Sequence, residues 1–337
     1  MGKNKTVTLR DIAEKTGYSI NTVSHALKNK TDISKQTREL IQKTAQEMGY
    51  IGNASASYMR SGISKTIAII LGDISNPHFS IMVREIENYI RGLGYTPFIL
   101  NTEENEEIEY QAILSAAQKN VDGIILCPVQ KTRNNILFLK KTGIPFVLIG
   151  RRFTELDTDY VVCDDENGGY IAAQYLLELG HRNILFLNAA LHISISTERL
   201  RGFHRAFLEK GVPYQPELVY SGSAQSGGWG EVLASALKKN PSVTAVLAFS
   251  DLIAWESVLA LNQMGLRVPE DISVMGFDDI QSRFHFPVLL TTVSSSKRTM
   301  ATAAAELLLQ KIQGEAHEQI ILPTKLIVRA STKPLHK

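Results

Sequence analysis

Residues 17–29 read GYSINTVSHALKN, a glycine turn that runs into a short helix with two distinct faces. Ser19 is placed to cap the helix, Val23, Ala26 and Leu27 form one apolar stripe, and Ile20, Asn21, Ser24, His25 and Lys28 lie outside it. So many hydrogen-bonding groups beside an outward isoleucine call for a partner. Upstream, TLRDIAEKTG (8–17) predicts a helix with Thr8 as N-cap, Asp11 in the first turn, Leu9, Ile12, Ala13 and Thr16 at helical spacing, and Gly17 as its stop. Downstream, SKQTRELIQKTAQEMGY (34–50) predicts a third helix capped by Ser34, with Leu40, Ile41, Ala45 and Met48 inward. Three helices about a tight glycine turn predict a helix-turn-helix over residues 6–52. The plain alternative is a small helical subdomain with a solvated polar face. For a DNA reader, the first turn of the second helix enters the major groove. There Ile20 suits a thymine methyl, Asn21 an adenine edge, and His25, as donor, a guanine acceptor, while Thr22 and Ser24 suit phosphate oxygens.

Charge is distributed in keeping with that reading. The chain of 337 residues carries net +2, yet residues 1–62 hold ten Lys/Arg against five Asp/Glu and the remainder 26 against 29. A small basic head on an acidic body suits a polyanion, because phosphate neutralisation supplies most non-specific nucleic-acid affinity.

From residue 66 onward the pattern changes. TIAIILGD, TPFILN, VDGIILCP and GIPFVLIG are apolar runs of strand length that alternate with amphipathic stretches such as FSIMVREIENYIRGLGY and EYQAILSAAQKN. The theme repeats with NILFLN, RLRGFHRAFLEKG, ELVY, WGEVLASALKK, AVLAFSD and DISVMGFDD. Such alternation predicts parallel sheets flanked by helices, in two lobes of one architecture. Expected boundaries are about 66–164 plus 293–322 for the first lobe and about 165–292 plus 323–332 for the second, within a core of 64–337. Ligands of open α/β sheets collect at the carboxyl ends of strands, which here face each other across a cleft. Asp73, Asn76 and Phe79 follow the first strand, Arg199 follows the first strand of the second lobe, Ser250 and Asp251 follow AVLAF, and Asp278 follows SVMGF. Asp251 and Asp278 also read as helix or turn caps, Arg151 and Arg152 as surface or lobe-interface residues, and Trp229 as core packing.

The run TLRDIAEKTGYSINTVSHALKNKTDISKQTRELIQKTAQEMGYIGN resembles, in order and spacing, the DNA-binding head of the LacI/GalR family of bacterial repressors. The fold this implies is a small all-α helix-turn-helix head plus an α/β two-lobed core like that of periplasmic binding proteins. In that family the first two residues of the recognition helix and one a turn later read bases, which carries over to Ile20, Asn21 and His25; histidine departs from the usual arginine. Thr8, Ser19, Lys28 and Ser34 complete the DNA-contacting set on the head. The linker IGNASASYMRSGISKT (51–66) reads on its own residues as a tether or a short helix. The resemblance implies a hinge helix within 53–63, starting at Asn53, with Met59 as the apolar wedge in the minor groove, a position where leucine is more usual. Gly52 stands where proline is common. In the core, DxxNPxF, RxxGF and GFDD recur as family motifs, implying that Arg199 and Asp278 hold an effector's hydroxyls or carboxylate, with Asp73, Asn76, Phe79 and Ser250 around them. Ser250 replaces the usual asparagine.

The expectation is a cytoplasmic homodimer that binds a palindromic DNA operator and is controlled by a small-molecule effector, most simply a sugar. No apolar block marks the N-terminus and no stretch of membrane-helix length is present. Beyond Arg329 the tail ASTKPLHK is too short for a tetramerisation coil, which favours a dimer. Cys127 and Cys163 have no CxxC partner, the histidines show no metal spacing, and GSAQSGGWG lacks the Lys-Ser/Thr of a phosphate loop. No metal, cofactor or enzymatic role is therefore expected. The competing reading is a free-standing sugar receptor of the periplasmic type.

Overall fold

The computed structural model describes residues 7–52, 58, 62–222, 228–283, 289–314 and 317–335. The chain divides into two compact units, with the division between Ser64 and Lys65.

The first unit holds three helices, α1 (Leu9–Thr16), α2 (Ile20–Leu27) and α3 (Lys35–Glu47). Each starts on a side-chain cap. Thr8 Oγ1 accepts from the Asp11 amide while the Asp11 carboxylate accepts from the Thr8 amide, and Ser19 and Ser34 accept from the amides of Thr22 and Thr37. Gly17 turns the chain at φ +76°, a left-handed value that costs glycine little. Ile12, Val23, Ala26, Ile41 and Ala45 form the core, packed against Val7, Leu27, Ile33, Met48 and Tyr50. Leu40 corrects one expectation. It is 49% exposed, because the buried stripe of α3 runs through Ile41 and Ala45 and Leu40 lies about 100° round the helix from Ile41.

The second unit begins with β1 (Thr66–Leu71), α4 (Pro77–Arg91), β2 (Thr96–Asn101), α5 (Glu106–Gln118), β3 (Gly123–Leu126), α6 (Asn134–Thr142), β4 (Phe146–Ile149) and β5 (Tyr160–Cys163). It continues with α7 (Asp165–Glu178), β6 (Ile184–Ala189), α8 (Ser194–Glu209), β7 (Val219–Gly222), α9 (Trp229–Lys239), β8 (Ala245–Ala248), α10 (Asp251–Gln263), β9 (Ser273–Phe277) and β10 (Thr291–Ser294). It ends with α11 (Lys297–Ile312), β11 (Gln319–Leu322) and β12 (Lys325–Ile327). The strands make two sheets, ordered β11-β5-β4-β3-β1-β2 and β12-β10-β9-β8-β6-β7. Every described pairing is parallel except that of β10 with β12.

Strands β1, β3, β4, β6 and β8 are buried on both faces, which is why they read as unbroken apolar runs. In the first lobe α4 and α11 cover one face through Met82, Ile86, Ile90 and Leu308, and α5 and α6 cover the other through Ile113, Ala116 and Leu139. In the second lobe α7 and α8 cover one face and α9 and α10 the other. Thr291–Ser294 pairs with β9, so the second sheet extends past residue 293 and the chain returns to the first lobe only with α11. Trp229 lies in the core at the first position of α9, 4% exposed.

Helices α7 and α8 approach unusually closely. A Cβ on Gly169 would stand 2.1 Å from the carbonyl oxygen of Arg199, and one on Gly202 would stand 1.8 Å from that of Glu166. Only glycine at both positions permits this backbone contact, and the contact fixes where the Arg199 side chain starts.

Candidate functional site

The carboxyl ends of the two sheets line one cavity of about 600 Å3. Asp73, Asn76, Phe79, Arg199, Ser250 and Asp278, expected on strand order, all line it. Several are already engaged. Asp73 Oδ1 accepts from the amide and hydroxyl of Ser75, Asn76 caps α4 by accepting from the His78 amide, and Ser250 caps α10 by accepting from the Ile253 amide. Asn76 and Ser250 therefore keep their carbonyl and hydroxyl oxygens turned toward a helix N-terminus. Asp251, by contrast, is fully buried beneath the site: it accepts from the Ile280 amide at 2.9 Å and the Thr292 hydroxyl at 2.6 Å. Its role is to hold the turn after β9. Burial, with Asp278 beside it, pushes its carboxyl up to about 8.

Arg199 lies in the second turn of α8. Its Nε donates to Asp165 at 2.8 Å, its Nη1 donates to the Phe249 carbonyl, and its guanidinium lies over the rings of Phe277 and Phe249 at 4.0 and 4.7 Å. Burial raises the Asp165 carboxyl to about 6 against the pull of Arg199. The Asp278 carboxylate stands 3.8 Å from Arg199 Nη2.

Asp278 itself sits at φ +99° and Asp279 at +53°, two consecutive left-handed residues without glycine. Neighbours hold this turn from three sides. Lys297, at the start of α11, donates Nζ to the carbonyls of both aspartates; Arg329 pairs with Asp279 at 2.6 Å; and Asp251 takes the Ile280 amide.

Sequence reasoning passed over three residues of the cleft wall and misplaced a fourth, Arg151, which it read as a surface or lobe-interface residue. Asp165 precedes two glycines and gives no pattern signal. Glu104 and Arg151 form a bidentate pair, at 2.6 and 2.7 Å, with Arg151 also donating to the Pro128 carbonyl; Arg151 is thus a buried cleft residue. Its neighbour Arg152 joins the lobes as expected, through Glu198 at 3.1 Å and through its amide to Ser194. The last of them is His78, whose buried Nδ1 has no hydrogen-bond partner and lies 3.4 Å from Asp278 Oδ1. Burial lowers the imidazole's proton affinity, opposed by Asp278 and reinforced by Lys297, Arg199 and Arg151. The thiols of Cys127 and Cys163 are buried and both are pushed up by burial, Cys127 to about 12.

On the head, Ile20 is 50% exposed and Asn21 and Lys28 are exposed, while Ser24 and His25 are half-buried. Thr8, Ser19 and Ser34 serve as helix caps, and Thr22 shares a hydroxyl contact with Ser19 at 2.9 Å. His25 Nδ1 is committed to Asp32 at 2.6 Å, so Nε2 is the ring nitrogen left to meet a base. Asn53 and Met59 lie outside the described residues.

A helix-turn-helix unit joined in one chain to a two-lobed α/β unit with a ligand-sized cleft defines a DNA-binding regulator with a small-molecule receptor core. Residues 8–53 match the family described as bacterial regulatory proteins, lacI family, and residues 64–330 match periplasmic binding proteins and sugar binding domain of LacI family. The chain belongs to the LacI family of transcriptional regulators, and is not an enzyme. It is 30% identical to the HTH-type transcriptional repressor PurR of Aliivibrio fischeri over 96% of this chain and 98% of that protein. The transcriptional regulator CelR in complex with cellobiose is 28% identical with a TM-score of 0.74, covering 96% of this chain and 99% of that one. A lac repressor dimer bound to operator and the anti-inducer ONPF shares the fold, with TM-score 0.86 at 24% identity, covering 98% and 100%. Among the described residues no helix is long and apolar enough to cross a membrane.

Proposed function

We propose that this regulator is a repressor that binds a two-fold symmetric operator as a homodimer and responds to an uncharged, sugar-like effector in the cleft. The observation that carries the effector class is the state of the two buried arginines on the wall. Arg151 is neutralised by Glu104 and Arg199 by Asp165, with Asp278 adjacent, so neither guanidinium is left to pay for desolvating an anion. Asp278 and the unpartnered His78 Nδ1 instead offer acceptors and a donor site suited to hydroxyls, and Phe79 and Phe249 offer apolar faces. In this reading Arg199 and Asp278 bind ring hydroxyls, and Asp73, Asn76, Phe79 and Ser250 shape the pocket. CelR, a relative, is known in complex with cellobiose.

On the head, Ile20, Asn21 and His25 read bases and Thr8, Ser19, Thr22, Ser24, Lys28 and Ser34 meet phosphates, with Asn53 and Met59 serving the linker. Dimer symmetry is mirrored in the operator. The apolar Leu259, exposed on α10, supports self-association. Two assays test the proposal. Gel shifts with genomic fragments yield a palindromic site, and a thermal-shift screen of neutral sugars, sugar phosphates and nucleobases gives stabilisation by a neutral sugar, about 2.7 kcal/mol at 100 times its Kd. Stabilisation by sugar phosphates alone would falsify the effector class.

A further inference from the structure

On the recognition helix, the side chain of His25 is held by a residue outside that helix. Its Nδ1 lies 2.6 Å from Asp32 Oδ2. A carboxylate can only accept, so Nδ1 carries the proton, and in the uncharged ring Nε2 is a lone-pair acceptor. Nε2 has no hydrogen bond to the described residues and is not among their buried unpaired atoms.

The loop that returns Asp32 to the helix is itself braced. The His25 carbonyl accepts from the amides of Lys28 at 3.2 Å and Lys30 at 3.1 Å, and Asn29 turns the chain at φ +55°. From α3, Gln42 Nε2 donates to the Ala26 carbonyl at 3.0 Å and to Asn29 Oδ1 at 2.8 Å, and Arg38 donates to the Lys30 carbonyl at 3.3 Å. Asp32 thus comes from a fixed loop, while remaining 54% exposed itself.

The geometry points to Asp32 as a positioning residue that sets the base preference of His25, making it an acceptor that reads the exocyclic amine of cytosine or adenine in the major groove. Guanine offers only acceptors on that edge and is disfavoured. The inference rests on the reading of His25 as a base-contacting residue. The negative charge of Asp32 repels phosphate, so its value to the head lies in discrimination.

The test recovers and sequences DNA bound by the full chain from a randomised duplex library at about pH 8. The parent selects cytosine or adenine opposite residue 25. Asp32→Asn removes the charge and offers Nδ1 a donor as well as an acceptor, so affinity rises for all sequences and the preference weakens without reversing. Asp32→Ala frees the ring to carry its proton on Nε2, and guanine gains by about three- to tenfold at that position, the weight of a single hydrogen bond. Retained non-specific DNA binding by Asp32→Ala establishes that the head is folded. A guanine preference in the parent, or an unchanged preference in Asp32→Ala, overturns the assignment. An unchanged consensus in His25→Ala removes His25 from the readout altogether, and the role of Asp32 with it.

Discussion

His78 of the first lobe and Asp278 of the second face each other across the cleft, Nδ1 to Oδ1 at 3.4 Å, too loosely aligned for a hydrogen bond. The contact leaves a buried nitrogen unsatisfied, a cost of about 1–3 kcal/mol that a hydroxyl set beside the pair, within reach of both groups, removes.

An effector bridging this gap should therefore depend on both side chains. Asp278→Ala is expected to weaken effector binding by about 1–3 kcal/mol, and His78→Ala by a comparable amount, with operator binding in the absence of effector retained. Calorimetry with the sugar identified by thermal shift measures both; parental affinity in either variant rules that residue out as a contact.

The tight crossing of α7 and α8 makes a second expectation. Gly202→Ala drives a methyl into the Glu166 carbonyl, and relief requires the helices to separate, at about 1–3 kcal/mol. Because Arg199 rides on the same crossing, effector affinity falls along with stability. Gly92→Ala is the control. Its backbone is right-handed helical and the added methyl meets only the Tyr89 carbonyl at 3.5 Å, so stability holds or rises by about 0.4–1 kcal/mol. Chemical denaturation of the two variants gives the comparison.

What could be seen in the sequence follows from where the signal is local. The faces of α2 are visible because a 3.6-residue period sorts Val23 and Ala26 from Asn21 and Lys28, and β1 and β6 are visible because strands buried on both faces are apolar throughout. Helix α7 is not visible, since Gly168 and Gly169 look like breakers until α8 is laid against them. For the same reason Asp165 could not be assigned to Arg199, 34 positions away, nor Glu104 to Arg151. Strand ends indicated which segments face the cleft. Which of their polar atoms are already spent on caps, as at Asn76 and Ser250, is a property of the folded turns.

The pairing of Glu104 with Arg151 leads to a third expectation. Glu104→Ala leaves a buried guanidinium with only the Pro128 carbonyl, and losing one partner of such a pair costs about 3–5 kcal/mol. An anion can restore part of that loss. The variant should be stabilised by a sugar phosphate that leaves the parent's melting temperature unchanged; equal responses of the two proteins would show that Arg151 does not control the charge selectivity of the cleft.

The last expectation concerns pH and Asp251. With its carboxyl at about 8 in the folded protein against the ordinary value of 3.8, the native state holds this proton more tightly than the unfolded chain does. The sign follows directly. The contribution is complete below about pH 4, declines by at most about 1.4 kcal/mol per pH unit as pH rises, and is exhausted once pH passes the folded value. Asp165, raised to about 6, adds a shorter slope of the same sign, while His78, lowered by burial, acts oppositely as pH falls below the ordinary imidazole range. Asp251→Asn isolates the first term. The amide can accept from the Ile280 amide and donate to the Thr292 hydroxyl, which keeps the turn that carries Asp278 without a titrating group. The stability of the parent relative to Asp251→Asn should therefore fall steadily between about pH 5 and pH 8 and run parallel above that range. Denaturation curves at stepped pH measure the difference, and parallel curves throughout would mean that Asp251 is ionised in the folded protein at all these pH values, with Thr292 and the Ile280 amide enough to hold its charge.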